Sequence, residues 1–182
     1  MRPLRADEIE VRVGQVYEGK VSMLLYKTAR TDMTILDEMY GAFGWQCDYR
    51  EVKGNMYCGI GVFDESKSMW VWKWDCGTES NTEKEKGEAS DAMKRAGVKW
   101  GIGRELYTAP RIYLDAATVP FNDKSGYTRY KLHNPRELNG IFVSHIRTDE
   151  VNGRLEIVEL ELSQKAYRDV KVIYTYPKGG RK

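Results

Sequence analysis

The sequence is poor in the residues that carry most site chemistry. Its 182 residues include 3 cysteines, 2 histidines and 5 prolines. Cys47, Cys58 and Cys76 are odd in number and show no CxxC spacing. That excludes a secreted disulfide framework and a closely paired zinc site, and leaves three small, buried, reduced thiols. His133 and His145 have no partner at metal-ligand spacing and read as ordinary polar residues. Charge of one sign is lacking too. With 29 Lys+Arg against 27 Asp+Glu the formal charge is +2, so any basic surface must be local. The longest apolar run, around Val21 to Tyr26, is far too short to span a bilayer, and Met1 to Glu10 holds no apolar signal segment. The expectation is a soluble, cytoplasmic protein with no membrane partner. Internal repeats, low-complexity segments and linker-like stretches are also missing, and the length suits one well-buried core. This gives one domain over 1–173 and a short basic tail over 174–182. The tail combines Pro177, Gly179 and Gly180 with Lys178, Arg181 and Lys182, and reads either as a frayed solvated end or as an electrostatic arm for phosphate.

What is present is a change of hydrophobic period. Between Thr28 and Phe43, Met33, Leu36, Met39 and Tyr40 recur at helical spacing until Gly41 and Gly44 end the pattern. From Trp45 the period becomes two: Trp45, Cys47 and Tyr49 alternate with Gln46, Asp48 and Arg50. Lys53-Gly54-Asn55 predicts a tight turn into a second strand, Met56 to Phe63, with Met56, Cys58, Ile60 and Val62 on one face. Asp64 to Ser68 turns the chain into a third strand, Met69 to Asp75. There Trp70, Trp72 and Trp74 share a face. This row reads first as a core face covered by a helix, since indoles carry large apolar area; a platform for stacking bases is the other reading. Thr82 with Glu85 fits a capping box opening a long helix, Glu83 to Tyr107. Arg111 to Leu114 predicts a short strand, 116–136 a polar, turn-rich excursion, and Ile141 to Arg147 with Arg154 to Leu162 a hairpin turning at Asn152-Gly153. The fold class is α+β: a helix, a three-stranded antiparallel β-meander, a long helix packed on the sheet, and a C-terminal β-hairpin.

The long helix carries the unusual chemistry. Gly97, Gly101 and Gly103 fall within it although each glycine costs a helix interior roughly 1 kcal/mol. Small residues let a helix lie close against a sheet, so Gly103 reads as a packing position. Val98 and Ile102 are apolar on the side opposite the core stripe, which suggests a helix covered on both sides by a neighbouring subunit or by later chain. Lys94 and Arg95 lie on that side as well. The ordinary reading pairs Asp91 with Arg95 on the surface; phosphate contact is the alternative. A dinucleotide motif fails, because Leu106 stands where the third glycine of GxGxxG belongs. No GxxxxGK[ST] loop and no nucleophile with a base is visible. Asp64 with Glu65, and Asp75 with Glu79, Glu83 and Glu85, raise the option of a metal-dependent nuclease, yet turn and helix-start positions explain those acids.

Two stretches together resemble a known family. Asp37 to Trp45, DEMYGAFGW, and Glu83 to Tyr107, EKEKGEASDAMKRAGVKWGIGRELY, are similar to the single-strand annealing proteins of homologous recombination, of the Rad-fifty-two type, in their phage-borne branch. The resemblance runs from about Val21 to Leu114, with the meander in the expected place. It implies a homo-oligomeric ring that binds single-stranded DNA in a basic groove and anneals a complementary strand. It also implies no ATP, no cofactor, no metal and no catalytic residue, and a host single-strand binding protein as a further partner. Residue by residue, Lys94 and Arg95 match the pair that contacts the DNA backbone, and Lys86 matches another groove lysine. Arg30 stands beside Thr31, the position aligned with a groove arginine. Phe43 lies one place from a family aromatic. A double-stranded RNA or DNA-binding module shares the order helix, three strands, helix, but here Glu83, Glu85 and Glu88 dilute Lys84 and Lys86 at the start of its second helix.

Overall fold

The computed structural model describes residues 1–78, 84–167 and 169–177, and for residues 84–86 the backbone alone. In chain order its main elements are strands β1 (Glu10–Tyr17) and β2 (Lys20–Tyr26), helix α1 (Ala29–Tyr40), strands β3 (Trp45–Val52), β4 (Asn55–Asp64) and β5 (Met69–Cys76), and helix α2 (Lys84–Lys99). Strands β6 (Ile112–Asp115), β7 (Thr118–Asn122), β8 (Thr128–Leu132), β9 (Ile141–Val151), β10 (Arg154–Ala166) and β11 (Asp169–Tyr176) follow. The chain divides into two compact units. One comprises Met1–Leu4 and Lys27–Arg104, the other Arg5–Tyr26 and Glu105–Lys182.

The first unit holds α1, the β3-β4-β5 sheet and α2. Thr28 caps α1 by accepting from the Thr31 N–H, and Gly41 closes it. The three strands form an antiparallel meander, with Cys58, Ile60 and Val62 of β4 buried beneath α2. Ala92, Met93 and Ala96 of α2 and Ile35 and Leu36 of α1 complete this core. Gly97 is the position where α1 comes closest to α2: a Cβ there would sit 2.1 Å from Asp32 Oδ1. A glycine in mid-helix is thus explained by the approach of a buried carboxylate.

The helix is shorter than its sequence pattern predicts. It ends at Lys99, and Gly101 (φ 100°) and Gly103 (φ 71°) take left-handed conformations that lead into a 3-10 turn, Arg104–Thr108. Gly103 is therefore required by its backbone as well as by packing. Ile102 is buried but lies beyond the end of α2, so it is not part of a helix face. The tryptophan row also differs from expectation. Trp70, Trp72 and Trp74 pair across to Phe63, Gly61 and Gly59, whereas α2 packs on the face of Val71, Lys73 and Asp75. The indoles sit half-exposed on the sheet face that α2 does not cover.

In the second unit, sequence periodicity missed several strands. β1 and β2 form a hairpin that β6 extends, in the order β1-β2-β6. The 116–136 excursion contains the antiparallel pair β7–β8, whose short, polar, proline-containing strands carry little alternation. The expected hairpin is present as β9–β10, turning at Asn152 (φ 52°) and Gly153 (φ 75°), and β11 adds a third strand that reaches into the segment read as tail. Thr108 Oγ1 accepts from the Ile157 N–H at 2.9 Å, tying the 3-10 turn to β10. Thr82 and the Glu85 side chain of the capping box, Glu79, Glu83, and Lys178 to Lys182 lie outside the described residues.

Candidate nucleic-acid interface

The basic residues of α2 gather toward its C-terminal end. Arg95 and Lys99, one turn apart, are about half-exposed, and both reach the carboxylate of Asp75 on β5: Arg95 Nε to Oδ1 at 3.4 Å, Lys99 Nζ to Oδ2 at 3.5 Å. Lys99 also donates to the Trp74 carbonyl. Arg95 therefore does not pair with Asp91 as its spacing suggested. Asp91 instead accepts from the Thr78 N–H and hydroxyl, both at 3.1 Å, and lies 3.7 Å from the Lys94 ammonium.

Two further cations finish the helix. Lys73 Nζ donates to the Lys99 carbonyl at 3.1 Å, and Arg104 donates through Nε to Val98 O and through Nη2 to Lys99 O, each at 2.8 Å. These carbonyls have no intrahelical donor, and positive charge there is favoured by the macrodipole. Lys73 also lies 4.2 Å from the centre of the Trp100 ring. Arg95 and Lys99 thus share one carboxylate, Asp75, while Lys73 and Arg104 hold the carbonyls at the end of the helix. Sequence reasoning weighed Asp75 only as a nuclease carboxylate and did not assign Lys99 to the site. The four-residue step from Arg95 to Lys99 was the available signal, but the partner acid comes from a strand 20 residues earlier.

Lys94 is anchored from below. Its carbonyl accepts from Lys27 Nζ at 3.0 Å, and the same ammonium meets Asp32 Oδ1 at 2.5 Å in a fully buried pair. Burial pushes the Asp32 carboxyl up to about 6, against the pull of the Lys27 ammonium. Asp32 Oδ2 has no hydrogen-bond partner among the described residues, which adds to that cost. The buried pair fixes the α1–α2 distance at the turn that presents Lys94 and Arg95.

The remaining expected site residues are placed unequally. Lys86 lies two turns before Lys94 in α2, and its side chain is outside the described residues. Arg30 is exposed in the first turn of α1. It precedes Asp32 by two positions, or about 200° of helix, so it stands on the side of α1 away from the Asp32–Gly97 contact and is not gathered with Lys94 and Arg95. Phe43 is 98 % exposed in the turn between α1 and β3. Two acids of the nuclease reading, Asp64 and Asp75, are otherwise engaged. Asp64 accepts from the Ser66 hydroxyl and meets the Lys67 ammonium at 3.0 Å, and these contacts, with a weaker one from the Lys67 N–H, hold its carboxyl down to about 2 in the turn. Asp75 faces cations.

The arrangement offers phosphate a short row of helix-borne cations on a rigid support. A profile of the Rad52/22 family of double-strand break repair proteins matches residues 1–113. No curated protein and no solved structure matches the chain significantly. The family match takes in all of α1, the meander and α2, more than half of the sequence, and the chain belongs to the Rad52/22 family of double-strand break repair proteins.

Proposed function

We propose that this protein binds single-stranded DNA along α2 and anneals it to a complementary strand, as a homo-oligomeric ring, without ATP and without covalent catalysis. The observation that carries the reading is the run of the part-buried Lys94 and the half-exposed Arg95 and Lys99 on one helix, held by the buried Lys27–Asp32 pair and framed by Asp75. Phosphates binding there release counterions and tie down the backbone of one strand while its base edges stay free for a partner. Lys86, on the same helix, extends the row toward the N-terminus, and Arg30 on α1 contributes a separate contact. Membership of a double-strand break repair family supports DNA as the ligand and oligomerisation as the working state.

The test is annealing of two complementary fluorescent oligonucleotides in the absence of ATP. The wild type accelerates pairing. Lys94→Ala with Arg95→Ala keeps the fold, because neither side chain is part of the core, but loses acceleration and weakens binding for every sequence, with a salt slope reduced by about 2. Wild-type binding and salt dependence in the double variant would refute the α2 assignment. Tight duplex binding without acceleration would favour a duplex-binding module, which shares the order helix, three strands, helix.

A further inference from the structure

The sheet face opposite α2 has a construction that the phosphate row does not use. β4 places glycine at 59 and 61, directly across from Trp74 and Trp72. A Cβ at Gly59 would meet three atoms of the Trp74 ring at 2.4, 2.6 and 2.6 Å, and one at Gly61 would meet the same three atoms of Trp72 at 2.8, 2.9 and 2.9 Å. Near-equal distances to neighbouring ring atoms mean that each indole lays its face, not its edge, on the glycine. The outer face of Trp72 points away from the sheet, and that of Trp74 carries the Arg50 guanidinium. The two rings are near-parallel, 5.7 Å between centroids and 24° between planes. Trp70 continues the row, with Phe63 edge-on at 5.5 Å. At the opposite end the Arg50 guanidinium lies 4.5 Å from the centre of the Trp74 ring while paired with Asp48 at 2.9 Å.

We infer that Trp72, with Trp74 and the Arg50 guanidinium lying over it, forms a base-stacking platform for single-stranded DNA, in which Arg50 also meets the backbone. The inference rests on the proposed single-strand function and assigns it a second surface of different chemistry. Every base has a π-face, so flat, outward-facing indoles bind a strand with little regard to sequence. The 5.7 Å ring spacing exceeds the ~3.4 Å rise of a stacked strand, so the platform suits an opened strand with bases spread apart. A second copy of the chain is the less fitting occupant. The buried centre of a protein interface is depleted of charge, and here the Arg50–Asp48 pair stands on the face itself, two residues apart on β3.

The experiment compares binding of a thymidine oligonucleotide with that of an abasic oligonucleotide of equal length. The wild type should prefer the oligomer with bases by about 10-fold or more. Trp72→Ala with Trp74→Ala should keep the affinity for the abasic oligomer and lose that preference, and Trp72→Phe with Trp74→Phe should retain it. Lys94→Ala with Arg95→Ala should weaken both probes together. Equal binding of both probes by the wild type overturns the platform and leaves the phosphate row standing; binding of neither probe overturns the single-strand function itself. A change in oligomer mass in the alanine pair, with the base preference intact, would identify the face as a contact between copies and overturn the inference. Photocrosslinking of the wild type to an iododeoxyuridine oligonucleotide needs no variant. Adducts on Trp72 or Trp74 support the platform, and adducts confined to other residues refute it.

Discussion

The two faces of the β3-β4-β5 sheet come from one alternating run, Cys58-Gly59-Ile60-Gly61-Val62, and they are finished in opposite ways. On one face the branched side chains of Ile60 and Val62 pack with the Cys58 thiol beneath α2 and leave the solvent almost completely. On the other face β4 contributes no side chain at 59 and 61, and the indoles from β5 lie down in the space left open. The first face obtains its stability from interdigitation with a helix. The second keeps large aromatic surfaces at the boundary with solvent, where they are available to a ligand. Apolar composition alone therefore does not locate a core. What decides is whether the opposing strand supplies side chains that lift the aromatics into a second layer.

The largest expected effect comes from breaking the support of the covered face. Asp32→Ala removes the buried carboxylate that meets the Lys27 ammonium and should cost about 3–5 kcal/mol of unfolding free energy by urea titration. The same pair gives the comparison a pH axis. A carboxyl raised to about 6 in the folded state lies above its usual value, so the folded state holds its proton more tightly than the unfolded chain does. The contribution of Asp32 to stability is fully present below its usual value of 3.8 and is lost as pH rises through about 6. The stability difference between wild type and Asp32→Asn should fall across that window, and a flat difference would contradict the buried geometry.

A middle-sized effect is expected on the open face. Gly59→Ala forces the Trp74 ring off the sheet, at a cost of about 1–3 kcal/mol, with a red shift of tryptophan emission as the indole moves into water. An unchanged spectrum would mean that the ring does not rest on Gly59. The smallest effect belongs to the charge row. Asp75→Asn removes the carboxylate that Arg95 and Lys99 share and should raise single-strand affinity a few-fold with little change in melting temperature. Weaker binding in that variant would instead make Asp75 necessary for holding the two cations in place.

Much of the first unit was legible because its signals are local. The glycine stop at Gly41, the change of period at Trp45, the Lys53-Gly54 turn and the alternation of β4 and β5 each fix backbone geometry within a few residues. The second unit was less legible. β7 and β8 are five residues each and mostly solvated, so neither face is apolar enough to announce a period. β11 reads DVKVIYTY, in which exposed valines imitate a buried strand poorly. In the candidate site, Lys94 and Arg95 were found through a motif, whereas Lys99 and its counter-charge Asp75 became visible only when a strand and a helix met.

By itself the sequence determined the order of elements and the turn positions of the first unit, and the family, because periodicity and motif spacing are properties of neighbouring residues along the chain. The tertiary structure alone decided which sheet face α2 covers, why Gly97 stands in a helix, and where the cations of α2 find their carboxylate. Those outcomes depend on residues distant in the chain arriving at one place: Asp32 against Gly97, Asp75 against Arg95, Trp74 against Gly59. No single stretch carries that information, since a strand's alternation names two faces but does not say which of them will be buried.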